Sequence, residues 1–74
     1  MNYSSGEEIR VGDHVLIERG KTPGAIEHIV DSEHDKRSWN LDELGVLIRA
    51  NPFGTVFWPI EEKDDPVVFV SRAE

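Results

Sequence analysis

The stretch GVLIRANPFGTVFWPI, residues 45–60, is the one on which the fold turns. Two runs rich in β-branched and aromatic side chains flank Asn51, Pro52, Phe53 and Gly54, which puts Asn at i, Pro at i+1 and Gly at i+3 of a type I turn. That pattern predicts a β-hairpin. Val46, Ile48 and Ala50 alternate with Leu47 and Arg49, and Val56, Trp58 and Ile60 alternate with Thr55 and Phe57. Successive strand residues point to opposite faces, so one face is wholly apolar and is expected to be core, while the other is mixed. Phe57 then lies under a loop or in the open. Pro59 has no N–H to give a ladder, so the strand ends there or becomes an edge.

Upstream, VGDHVLIERGKTPGAIEHIV (residues 11–30) reads as turn, strand, wide turn and strand. Val15, Leu16 and Ile17 are strand formers, and RGKTPG breaks the run. In the second strand Ile26, His28 and Val30 share one face and Ala25, Glu27 and Ile29 the other, by strict alternation. Between this hairpin and the next, Ser32 followed by Asp35 fits a capping box, acids lead, and Lys36 and Arg37 follow. A short helical insertion over about residues 32–40 is predicted, with Trp39 anchoring it on the sheet. NLDELG is then a loop or a second short helix ending at Gly45. Downstream, EEKDDP is a solvated acidic connector, and VVFVSR is a last strand whose apolar side chains suit burial on both faces. Residues 1–8 read as a flexible leader to a single domain spanning 1–74.

A chain of 74 residues buries only ~60–65% of the surface its unfolded form exposes, so the core must be economical. It has no cysteine to supplement that core with a disulfide or a thiolate zinc site. No basic segment precedes an apolar run at the N-terminus, and VLI and VVFV are far too short to span a bilayer. A cytoplasmic setting is expected. The net charge is −7, spread as eight acids against five bases over residues 1–37 and seven against three over residues 38–74. A field of that sign repels phosphate backbones and anionic lipid and speeds encounter with a basic partner. Neither a nucleic-acid nor a membrane partner is expected; a basic protein is.

Five strands at short spacing, one short helical insertion and Gly/Pro-rich turns predict an all-β fold, a small five-stranded, strongly bent antiparallel barrel of SH3-like or OB-like kind. The SH3-like choice suits the length better. Residues 11–30 also resemble the start of SH3-like barrels of the KOW type, in which a Gly-Asp-x-Val opening, a first strand, a loop and a Gly-x-Ile/Val-x-x-Ile second strand recur. Gly12, Asp13, Val15, Gly24, Ile26 and Ile29 carry the resemblance, which covers about a quarter of the chain. It implies docking on RNA or on the transcription or translation machinery through basic residues around that loop, here Arg19 and Lys21.

The residues offer little chemistry. His14 and His28 could approach across the first hairpin, but neither HxH nor HExxH spacing occurs, and no metal or other cofactor is expected. No serine or threonine sits in a nucleophile elbow, and RGKTPG lacks the order of a phosphate-binding loop, so the chain is not expected to be an enzyme. Interaction remains. Phe53, Phe57, Trp58 and Arg49 are the residue types that anchor protein interfaces, with Asp64 and Asp65 as an acidic rim that steers a basic partner. The expectation is a small acidic protein-binding module, an inhibitor or immunity-type protein covering a basic site. The alternative is a KOW-like accessory domain of the translation or transcription machinery. The edge at residues 68–70 offers a route to a homodimer.

Overall fold

The structure, a computed structural model, describes residues 1–50, 54–60 and 62–72. The expected turn at residues 51–53, with Phe53 in it, lies outside that set. On either side of it β3 (Gly45–Ala50) and β4 (Gly54–Pro59) pair antiparallel in the predicted register, Val46 opposite Trp58, Leu47 opposite Phe57 and Ile48 opposite Val56. Val46, Ile48 and Ala50 are buried in the core, and Val56, Trp58 and Ile60 pack against it. Phe57 lies on the opposite face, half-buried, with its ring across Gly45. A Cβ at Gly45 would come within 2.3 Å of the Trp58 carbonyl oxygen and 2.9 Å of the Phe57 ring, so only glycine allows this approach.

β1 (His14–Ile17) and β2 (Thr22–Val30) form the first hairpin, but its turn is tight, not wide. Thr22 pairs with Ile17, and residues 18–21 close the connection with Glu18, Arg19 and Gly20 all at positive φ. Pro23 and Gly24, whose residue types suggest breakers, belong to the strand. Among the described residues the β2–β3 ladder stops at Gly24 opposite Ala50, so Pro23 has a neighbour only on the β1 side and its missing N–H matters little. Gly24 serves a close crossing: a Cβ there would stand 2.6 Å from Ile48 Cγ2 and 3.0 Å from the Arg49 carbonyl oxygen.

Strict alternation along β2 also fails. The register against β3 shifts between Ile26 and His28, so Glu27 is an extra residue, and the faces exchange beyond it. Ile26 and Ile29 therefore both reach the core, while His28 and Val30 turn to the other side with Leu47 and Phe57. There His28 lies against Trp39, ring centroids 5.4 Å apart. Trp39 follows α1 (Glu33–Ser38) and remains 48% exposed, a partial cover more than an anchor. The Ser32 side chain accepts the Asp35 N–H at 3.1 Å, as the sequence predicts. The helix stops because Asn40 adopts positive φ, so that the Asn40 N–H reaches the Arg37 carbonyl and the Leu41 N–H the Lys36 carbonyl.

β5 (Val68–Ser71) pairs with β1, giving one five-stranded antiparallel sheet in the order β4-β3-β2-β1-β5. The chain is mostly β, as expected, with little helix. β4 and β5 remain the two edges, with no ladder between them among the described residues, so the sheet is open. Being an edge strand, β5 has one packed face: Phe69 meets the core while Val68 and Val70 are exposed. A register shift against β1 leaves Val70 unpaired, a bulge of the kind that blunts an edge against further pairing. Residues 1–8, read from sequence as a flexible leader, fold back on themselves through an Asn2–Glu8 bridge and put Tyr3 into the core beside Ile9.

Candidate functional site

Where the sheet fails to close, three segments leave a groove of about 470 Å³. Val46, Trp58 and Ile60 supply the sheet side, Tyr3 and Ile9 the N-terminal side, and Pro66 and Val67 the connector that leads into β5. Besides the buried Val67, Asp65 holds the connector. The Trp58 indole N–H donates to the Asp65 carbonyl at 2.8 Å, and the Asp65 carboxylate accepts the Arg19 N–H at 2.6 Å, so Asp65 ties β4 to the tight β1–β2 turn. Ile60 is shared with a second, smaller recess of about 250 Å³ whose other walls are Asp42, Glu43 and Leu44. The groove's size falls within the range that small ligands or a few peptide side chains fill.

Beneath the groove lies the one buried charge among the described residues. Asp13 is 1% exposed, and its Oδ2 accepts the Tyr3 hydroxyl at 2.6 Å, the Arg10 N–H at 3.0 Å and Arg72 Nη1 at 2.9 Å. Burial pushes the Asp13 carboxyl up, but those hydrogen bonds and the Arg72 charge outweigh it and hold the group below its ordinary value. Burial, and then the hydrogen bond to the Asp13 carboxylate, push the Tyr3 phenol well above its ordinary value of 10.0. Arg72 also donates to the Glu8 carbonyl at 2.6 Å and lies over the Phe69 ring, 5.1 Å from its centroid. Tyr3 and Phe69 rings are 5.1 Å apart. The cluster fixes the N-terminal wall of the groove against the last strand.

The anchor residues singled out by sequence do not form one patch. Trp58 lines the groove and Asp65 holds its connector, while Asp64 is exposed on that connector. Phe57 and Arg49 lie on the opposite face of the sheet, where Arg49 pairs with Glu27 at 3.2 Å and Thr55 donates to the same carboxylate at 2.9 Å. Phe53 lies outside the described residues. Sequence reasoning missed Tyr3, Ile60, Pro66 and Val67, which meet only through the fold; Tyr3 in a polar N-terminal stretch was the one available signal. His14 pairs with Ala25 and does not oppose His28, and no group of three or more potential ligands is placed to hold a metal among the described residues. No helix among them is long and apolar enough to cross a membrane. No protein-family model, curated protein or solved structure matches the chain.

Proposed function

We propose that the chain is a small acidic protein-binding module, an inhibitor or immunity-type protein of the cytoplasm that covers a basic site on its partner. The observation that carries the reading is an apolar groove opened between sheet and connector in a chain of net charge −7. Apolar walls supply grip, and a one-sign field supplies the on-rate. The fold proposal is of a piece with it. The order β4-β3-β2-β1-β5 suits an SH3-like barrel in which Trp58 and Asp65, not a ladder, bridge the last gap. With a partner in hand, Asp64→Lys should slow association about twofold to fivefold at low salt and leave dissociation unchanged. Association rates indifferent to both the substitution and salt would remove the electrostatic half of the reading.

A second reading has its own support. Arg19 and Lys21 are exposed on the β1–β2 turn, where a KOW-like accessory domain would meet the translation or transcription machinery. Lys21→Glu separates the two, since it should abolish co-sedimentation with ribosomes only on this second reading.

A further inference from the structure

We infer that the groove beside Trp58 and the acidic recess joined to it at Ile60 take an extended segment of a partner protein that carries an apolar side chain with a lysine or arginine two residues further on. This rests on the protein-binding reading and gives it a recognition chemistry. The two depressions adjoin at Ile60, which lines both, and side chains two residues apart in an extended segment point to the same side. One end is apolar, walled by Trp58, Pro66 and Val67; the other presents Asp42 and Glu43. Among the described residues of both, three carboxylates (Asp42, Glu43 and Glu62) stand against one cation, Lys63. An acidic segment is repelled there, and a purely apolar one leaves the carboxylates without a counter-charge. The Trp58 indole N–H and the Tyr3 hydroxyl are both committed inside the protein, to Asp65 and Asp13. The part-exposed Trp58 therefore offers ring surface and no hydrogen bond, over a Tyr3 that is only 4% exposed, which selects an aliphatic or aromatic side chain over a polar one.

The probe is the peptide acetyl-Ser-Gly-Leu-Gly-Lys-Ser-amide, titrated into the isotope-labelled full chain at low salt and followed by amide shifts and the two indole resonances. Saturable shifts are expected at Tyr3, Ile9, Leu44, Ile60 and the Trp58 indole, with the Trp39 indole, on the far face, unmoved. Exchanging the peptide leucine for serine should weaken binding about tenfold. Exchanging its lysine for glutamate, or making Glu43→Lys in the protein, should weaken it about twofold to fivefold. Glu43 is exposed, so that variant does not depend on a core change for its effect. Absent shifts, shifts centred elsewhere, or equal affinity for all three peptides would overturn the inference. If the peptide is silent and a basic partner still binds a Ser4→Arg variant, whose new side chain enters the groove, the groove inference fails while the protein-binding reading stands. Peptide saturation with no partner recovered from lysate would have the reverse meaning.

Discussion

Replacing Asp13 by asparagine keeps the side chain's shape and removes its charge from a site that is 1% exposed and receives three donors on one oxygen. An amide oxygen can still accept in the place of Oδ2, but it carries no charge and Arg72 loses its counter-ion. Removing one partner of a buried pair costs about 3–5 kcal/mol. The Arg72 side chain is 33% exposed, so water recovers part of its solvation, and the lower end, about 3 kcal/mol, is the expected loss. A domain of this length is stable by roughly 4–11 kcal/mol, so the variant loses a large share of the total. With a urea slope of ~1 kcal/mol/M for so small a chain, the midpoint should fall by about 3 M, read by tryptophan fluorescence at neutral pH. The pH dependence has a definite sign. The folded-state value of Asp13 is lowered from 3.8, so its stabilisation is present above that pH and is lost as pH falls through the folded value. The wild-type advantage over Asp13→Asn should therefore close in acid. A deficit under ~1 kcal/mol at neutral pH, or one that persists unchanged near pH ~2, would refute the account of this cluster.

Four further outcomes follow from single contacts. Asp65→Ala should cost about 1 kcal/mol in urea unfolding because the Arg19 N–H loses its acceptor, whereas Asp64→Ala should be neutral within ~0.5 kcal/mol. Gly45→Ala forces a Cβ against the Trp58 carbonyl and the Phe57 ring and should cost about 1–3 kcal/mol, visible in thermal unfolding. Asn40→Ala places a side chain that disfavours positive φ at the end of α1 and should destabilise by about 1 kcal/mol, with Asn40→Gly neutral or better. Tyr3 is the chain's one tyrosine, so phenolate absorbance reports on it alone. Its ionisation should lie well above 10.0 in the folded chain, and stability should decline as pH rises past 10.0, a decline that Tyr3→Phe abolishes.

The β3–β4 hairpin was legible because alternating side chains carry register information residue by residue, and Ser32 marked its helix because a cap is a local hydrogen bond. The bulge at Glu27 was not legible. An inserted residue has no type signature, so alternation put His28 and Val30 on the same face as Ile26 when they lie opposite it. Pro23 and Gly24 read as turn formers because their conformational preferences are local, whereas their positions in β2 are set by where β3 ends and how closely it passes. Asp13 stood out in sequence only through its likeness to a barrel's opening. Its burial depends on Tyr3 and Arg72, which lie 10 and 59 positions away, a separation no periodicity spans. The groove was hidden for the same reason: its walls come from three segments that meet only once Asp65 has drawn the connector across Trp58.

In the function proposed above, this acidic chain grips a basic protein through the groove beside Trp58. Its most direct test is parallel capture from native lysate at ~0.15 M salt, where surface charges are screened beyond ~8 Å, with the wild type and Ser4→Arg as baits. The account predicts one stoichiometric basic protein on the wild type, released by higher salt and lost from Ser4→Arg, which sets a bulky cation on the groove wall. Equal recovery on both baits, or recovery of ribosomal proteins or polymerase subunits in place of a single partner, would contradict it.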